Sequence, residues 1–226
     1  PFELIPWILS QCATINEAKK LLTKINILEE NFNEELPLTP LHWIISDNEN
    51  SITFETTKTG IKIFDNPVGV LTNSPSFDYQ IFNLNNYMKL SNREPKNSFG
   101  NLDFRNYSRG MGGIGLPGDL SSISRFVRAT FIKTSSKSGN SEAESVSQFF
   151  FFFNSVEMPK GCVLLENNKY EITVYSSCCN TNQGIYYYIT YDNRQINAVD
   201  MHKENLNVRK LISYPLNLEQ SIKYQK

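Results

Sequence analysis

The side chains and turns best suited to chemistry crowd into one stretch, Gly110-Met-Gly-Gly-Ile-Gly-Leu-Pro-Gly-Asp-Leu-Ser-Ser-Ile-Ser-Arg-Phe-Val-Arg128, with five glycines and one proline between Gly110 and Gly118. Glycines let a backbone turn tightly or let another group approach closely. Asp119, Ser121 and Ser122 then precede an apolar periodic run, which is a helix-start signal. The chemistry such a loop first suggests is phosphate binding. A Walker loop, however, needs Lys followed by Ser or Thr after its last glycine, and Asp119 stands there instead. A dinucleotide fingerprint can be threaded through Gly113, Gly115 and Gly118, but Pro117 removes an amide and residues 105–109 do not read as a buried strand. From the residues alone, the stretch is a tight turn that delivers a helix, with Arg125 in its first turns.

The other reactive side chains give no constellation of their own. Cys12, Cys162, Cys178 and Cys179 form no Cys-x-x-Cys pair, and the two histidines, His42 and His202, are far apart, so no metal site is expected. Cys178 and Cys179 are adjacent, and on a strand they face opposite sides, which disfavours a mutual disulfide. Free thiols in a reducing cytosol are expected. Cys12, on an apolar segment, reads as a small core residue rather than a nucleophile.

The elements that must position the loop follow from the hydrophobic period. The chain has 226 residues, 40% hydrophobic and 20% charged, with a formal net charge of -1. That balance supports an ordinary core and argues against a nucleic-acid surface. The apolar run 149–153 is far too short to cross a membrane. No secretory signal is visible, and a start at Pro1 points to processing or to part of a longer chain.

Residues 2–11 read as a helix with Phe2, Ile5, Leu9 and Cys12 on its apolar face. Thr14 and Glu17 form a capping box before a second short helix carrying Ala18, Leu21, Leu22 and Ile25. Residues 26–40 read as a polar loop. Strands are expected over 41–46, 51–56 and 60–64, with Glu55 and Lys62 cross-strand or solvent-facing, and a further strand over 70–73 ended by Ser74-Pro75. Residues 77–90 read as a helix, 91–109 as a surface excursion, and 121–133 as the helix after the glycine loop. Residues 134–140 link it to a helix capped by Ser141 and Glu144, with Val146, Phe149, Phe150 and Phe153 as its buried stripe. Strands return at 170–177, 184–191 and 195–199, followed by a short strand-like 211–214 in a polar tail. The order helices, strands, helices, strands is an α+β pattern with antiparallel sheets, not a doubly wound βα alternation.

Taken together, several stretches resemble the choloylglycine hydrolase family, which contains conjugated bile acid hydrolases and penicillin V acylases. They are Pro1-Phe-Glu-Leu-Ile-Pro-Trp, Pro40-Leu-His-Trp, Asp65-Asn-Pro-Val-Gly-Val-Leu-Thr-Asn-Ser-Pro75, Gly113-Ile-Gly-Leu-Pro-Gly-Asp, Ser124-Arg-Phe, Gly184-Ile-Tyr-Tyr-Tyr and Gln195-Ile-Asn-Ala-Val-Asp. The likeness is collinear over nearly the whole chain. It implies a four-layer αββα N-terminal-nucleophile hydrolase, intracellular and homotetrameric when complete. Such an enzyme uses no cofactor and cleaves the amide between a bile acid and glycine or taurine. It also implies that residues 1–226 are the C-terminal portion of a single such domain.

By that likeness two residues carry site roles. Asn73, in Leu-Thr-Asn-Ser-Pro, matches the asparagine whose amide helps form the oxyanion hole. Arg125, in Ser-Arg-Phe, matches the arginine beside the nucleophile, and the glycine loop becomes its support. Without the likeness, Asn73 would be a turn residue and Arg125 a surface ion pair. The family's N-terminal part, with its nucleophilic cysteine, has no counterpart here, and none of the four internal cysteines can replace it. This chain alone is therefore expected to be inactive, and the absent strands to leave sheet edges open. Two other readings stand beside this one: a penicillin V acylase of the same fold, and a non-catalytic truncated remnant. A departure, Phe149 to Phe153, is expected to be a packing change only.

Overall fold

The computed structural model describes residues 2–28, 30–34, 38 and 41–225. It divides into two compact units, Pro1–Ser135 and Ser136–Lys226.

The first unit is built around a three-stranded antiparallel sheet, β1 (His42–Ser46), β2 (Ser51–Thr57) and β3 (Gly60–Asp65), with β2 in the centre. Its register explains what each face does. Trp43, Phe54 and Ile63 stand in one cross-strand row, and Ile45, Ile52 and Asp65 in the next, so side-chain alternation makes one face apolar except at its edge, where Asp65 pairs with Lys19. Helices α1 (Leu4–Leu9) and α2 (Ile15–Leu22) cover that face, bringing Leu4, Ile8, Ile15, Ala18 and Leu22 against Ile52 and Phe54. The capping box expected at Thr14 and Glu17 is present and starts α2.

The opposite face carries a row of His42, Glu55 and Lys62 and a row of Ile44, Thr53 and Phe64. Glu55 does lie opposite Lys62, but it is not solvent-facing: it is 3% exposed. Its carboxylate accepts from His42 Nδ1 at 2.9 Å and from the backbone N–H of Phe77 at 3.1 and 3.2 Å. Asn66 Nδ2 donates to Thr53 Oγ1 at 3.0 Å on the same side. Phe77 opens α3 (Phe77–Asn83), and its ring lies 5.8 Å from Phe64 and 6.0 Å from Phe126 of α4 (Ser122–Ser135). Strand β2 is thus buried on both faces, one dry and one hydrogen-bonded.

The second unit pairs β4 (Tyr175–Asn180), β5 (Ile185–Thr190) and β6 (Asn197–Asp200) in an antiparallel meander. Helix α5 (Glu142–Asn154) starts at the expected Ser141–Glu144 capping box. Glu142 ties it to the sheet, accepting from Tyr187 Oη at 2.8 Å and from Asn180 Nδ2 at 2.5 Å.

Several expectations shift. Helix α1 exists but turns its other face inward: Leu4 and Ile8 are buried, whereas Ile5 and Leu9 are exposed. Both stripes are apolar, so the period locates a helix without saying which side is covered. Residues 70–73 form no strand; Val70 is buried, and its carbonyl accepts from Asn66 Nδ2 instead of a ladder partner. The helix over 77–90 ends its α part at Asn83 and continues as a 3-10 turn, Leu84–Tyr87. The strand expected at 170–177 begins five residues later, because the hairpin register runs from Tyr175 opposite Thr190 to Asn180 opposite Ile185. Of the α5 stripe only Phe150 is fully buried; Phe149 and Phe153 stack at 4.6 Å and are half-buried. No strand forms at 211–214, where Leu211 is exposed. Part of the 26–40 loop lies outside the described residues, as does Pro1. Among the described residues, no helix is long and apolar enough to cross a membrane.

Phe54 has no exposed surface and sits in the core row. Phe54→Ala should cost about 3–5 kcal/mol of unfolding free energy in urea denaturation. Phe151→Ala, at an exposed position of α5, should stay within about 0.5 kcal/mol.

Candidate active site

The glycine loop begins with an intramolecular anion. Gly110 takes a left-handed conformation, φ +83°, and its N–H donates to Glu94 Oε1 at 2.6 Å while Met111 N–H donates to Glu94 Oε2 at 3.2 Å. The amides that could have cradled a phosphate therefore hold the chain's own carboxylate. Gly112 is required for a different reason. A Cβ there would stand 2.0 Å from the Arg93 carbonyl oxygen and 2.4 Å from that of Ser91, both backbone atoms. Its own carbonyl accepts from Ser91 N–H at 2.9 Å. The loop is thus clasped by residues 91–94.

At its exit the loop is fixed to α4. Arg128 is 8% exposed, and its Nη1 donates to the carbonyls of Pro117 at 2.9 Å and Asp119 at 2.7 Å. Ser121 caps the helix, its Oγ facing Ser124 N–H at 3.4 Å, and Asp119 braces that cap, its carboxylate accepting from Ser121 N–H at 3.0 Å and Ser124 Oγ at 2.5 Å. The hydroxyls of Ser121 and Ser124, then the Ser121 amide, hold the Asp119 carboxyl well below its usual range, at about 2.

This frame sets Arg125. Its Nε donates to the Leu120 carbonyl at 3.1 Å, which leaves the forked end of the guanidinium aimed away from that carbonyl. One Nη donates to Asn73 Oδ1 at 2.8 Å. The two residues singled out in the sequence, 52 positions apart, are therefore in direct contact. The contact also fixes the orientation of the carboxamide. A guanidinium has donors only, so the Asn73 atom facing it must be oxygen, and the NH2 group points elsewhere. Among the described residues, that NH2 has no acceptor. Arg125 is half-buried and Asn73 exposed, so the pair opens outward.

Asn73 is held from behind. Thr72 Oγ1 donates to the Ser122 carbonyl at 3.1 Å and accepts from Ser122 Oγ at 3.0 Å. Gln80 Nε2 reaches Thr72 Oγ1 and the Asn73 carbonyl, both at 3.1 Å. In the sequence Ser122 is marked only as part of a helix start and Thr72 only as part of a family motif, and Gln80 carries no signal at all. A polar residue on the inner side of a seven-residue helix gives no periodic signal.

Among the described residues, the hollows of this unit include a mostly apolar and a polar one. One, of about 460 Å³, is lined by apolar side chains such as Phe2, Trp7, Ile27 and Phe32, with the Phe2 and Phe32 rings 5.1 Å apart, and by the polar Glu3, Asn26, Glu30 and Asn31; neither Asn73 nor Arg125 lines it. The other, of about 960 Å³, is polar and bordered by Lys19, Asp47, Asp65 and Lys133; neither Asn73 nor Arg125 lines it. Lys133 Nζ is occupied there, donating to the Val68 carbonyl at 2.7 Å. The four cysteines are free thiols, and burial, then the neighbouring Cys179, pushes the Cys178 thiol up to about 11. That suits a packing role rather than a nucleophile. Among the described residues, no His, Cys, Asp and Glu group could hold a metal ion.

The model for linear amide C–N hydrolases of the choloylglycine hydrolase family matches residues 1–214. The chain belongs to that family. It is 58% identical over 97% of its length to a bile salt hydrolase/transferase of Lactiplantibacillus plantarum, covering 68% of that protein. It is 38% identical over 99% of its length to one from Clostridium perfringens, again covering 68%. The structure of a mutant conjugated bile acid hydrolase from Clostridium perfringens superposes with a TM-score of 0.88 over 98% of this chain and 68% of that one. A penicillin V acylase from Agrobacterium tumefaciens shares the fold, with a TM-score of 0.66 at 21% identity over 89% of this chain and 56% of that one. The fold is therefore the α+β N-terminal-nucleophile hydrolase fold, represented in part, and the chain is part of an amide hydrolase.

The Asp119 brace makes a pH prediction. Its folded pKa lies below the ordinary 3.8, so its contribution to stability is complete above pH 3.8 and is lost as pH falls through about 2. Carbon-13 titration of the Asp119 carboxyl should give a midpoint near 2. The stability gap between the parent and Asp119→Asn should narrow over the same window.

Proposed function

We propose that this chain forms the oxyanion-binding and nucleophile-supporting part of a hydrolase that cleaves the amide of glycine- or taurine-conjugated bile acids. The observation that carries the reading is the 2.8 Å bond from Arg125 to Asn73 Oδ1, which turns an amide N–H donor toward open space beside a fixed cation. The names of the relatives at 58% and 38% identity point to bile salts as the substrate class.

In the mechanism the likeness implies, a cysteine thiolate from the N-terminal part attacks the amide carbonyl carbon, and the carbonyl electron pair moves onto oxygen. Asn73 Nδ2 donates to that oxyanion. A neutral amide suits this task because it stabilises the developing charge without neutralising the nearby sulfur. Arg125 acts twice. Its charge favours the thiolate over the thiol, and its bond to Oδ1 polarises the Asn73 amide, strengthening the N–H donor. The oxyanion collapses, the C–N bond breaks as the leaving nitrogen takes a proton from the α-amino group of the nucleophilic cysteine, which the likeness makes the proton shuttle, and glycine or taurine leaves as the amine. Water then cleaves the thioester to release the bile acid. The hollow between Phe2, Trp7 and Phe32 is of a size usual for a small-molecule site, and its apolar side would take hydrocarbon rings.

The relatives are about half as long again as this chain, which covers 68% of them. The preceding third would supply the sulfur and add strands beside the outer strands of the two sheets. The homotetramer implied by the likeness would cover exposed aromatics such as Phe99, Phe104 and Tyr107.

Purified residues 1–226 should release no glycine or taurine from glycocholate or taurocholate. The same chain completed with the N-terminal third of the Lactiplantibacillus plantarum relative should release both. Penicillin V in a parallel assay distinguishes the acylase reading. Turnover by residues 1–226 alone would refute the division of labour; faster cleavage of penicillin V than of either bile salt by the completed enzyme would refute the substrate class.

A further inference from the structure

We infer that Gln80 is a positioning residue of the amide-cleaving site: its carboxamide latches the 72–75 segment to the first turn of α4 and thereby holds Asn73 against Arg125. The inference rests on the reading of Asn73 and Arg125 above and extends it to a side chain with no assigned role.

Gln80 is 2% exposed. Its Nε2 lies 3.1 Å from Thr72 Oγ1, 3.1 Å from the Asn73 carbonyl, 3.3 Å from Ser122 Oγ and 3.5 Å from the Pro75 carbonyl. Two of these partners are main-chain carbonyls, which only accept. The nitrogen, not the oxygen, must therefore face the segment. A single NH2 group thus touches both the loop that presents Asn73 and the first residue of the helix that presents Arg125. Ser122 and Arg125 are three residues apart on α4 and share a face. Loosening Thr72 and Asn73 from Ser122 therefore moves Asn73 relative to Arg125.

The cost on the other end of Gln80 argues that its donor is what matters. Oε1 is buried with no hydrogen-bond partner among the described residues. A buried acceptor left without a donor is destabilising, so an apolar side chain of the same volume would serve packing better. The platform under Gln80 is rigid: Glu55 accepts from Phe77 N–H at the start of α3, and the Phe77 ring packs against Phe64 and Phe126. Misplacing a catalytic group by about 1 Å can cost on the order of 100-fold in rate.

The test uses Gln80→Met, which fills the space without a donor, and Gln80→Glu, which keeps the shape but faces the carbonyls with oxygen. In nitrogen-15 spectra of residues 1–226, the Asn73 side-chain amide, assigned with Asn73→Ala, should move to the position of a solvated asparagine in both variants. In the completed enzyme described above, either variant should lower kcat about 10- to 100-fold with KM within about twofold. Added to Asn73→Ala, either should lower kcat by less than about twofold further, because the group it positions is gone. A merely structural role would reduce activity equally in both backgrounds, and that result, or an unmoved Asn73 amide, overturns the inference. If Gln80→Met does not fold, Gln80→Glu decides alone by the same criteria. If Asn73→Ala leaves kcat unchanged, the site reading fails first and takes this inference with it. If Asn73→Ala abolishes turnover while the Gln80 variants retain full kcat, only the inference fails.

Discussion

The site depends on one asymmetry of hydrogen bonding: arginine can only donate. Because Arg125 meets the Asn73 carboxamide at 2.8 Å, the oxygen of that carboxamide is committed and its N–H bonds are directed outward. A charge-assisted bond of this kind is stronger than a neutral one. It also converts a freely rotating amide into an aimed donor, which is what an oxyanion site needs before the charge develops. Most of the first unit can be read as a means of keeping these two groups in register.

That register is maintained from both sides. On the Arg125 side, the loop is clasped at its entry by Glu94 and at its exit by Arg128, and the helix start is braced by Asp119. On the Asn73 side, the segment has no ladder of its own and borrows its hydrogen bonds from Thr72, Gln80 and Ser122. Both sides are referred to β2, whose dry face is covered by α1 and α2 and whose wet face anchors α3 through Glu55. A central strand buried on both faces is a stiff reference for a site built on loops.

Much of this was legible in the sequence. The capping boxes at Thr14 and Ser141 marked helix starts because their chemistry is local, and the three-strand meander at 42–65 followed from alternation. Asn73 and Arg125 were named only through the family likeness; as residue types, a turn asparagine and a surface arginine carry no signal. What escaped is non-local. The inward face of α1 was misread because Leu4 and Ile8 compete with the equally apolar Ile5 and Leu9. Glu55 was read as able to face solvent, because the amide it caps lies 22 residues away at Phe77. Gln80 was invisible because three of its partners sit on an irregular segment that has no periodic pattern and the fourth, Ser122, lies 42 residues away.

The measurement that tests the central claim most directly is the steady-state kinetics of Asn73→Ala in the enzyme completed at its N-terminus, with glycocholate as substrate. Removing an oxyanion donor made only in the transition state should lower kcat by about 100- to 1,000-fold while KM stays within a few-fold. A kcat close to that of the parent, or a loss confined to KM, would contradict the account and leave the Arg125–Asn73 contact as a structural hydrogen bond.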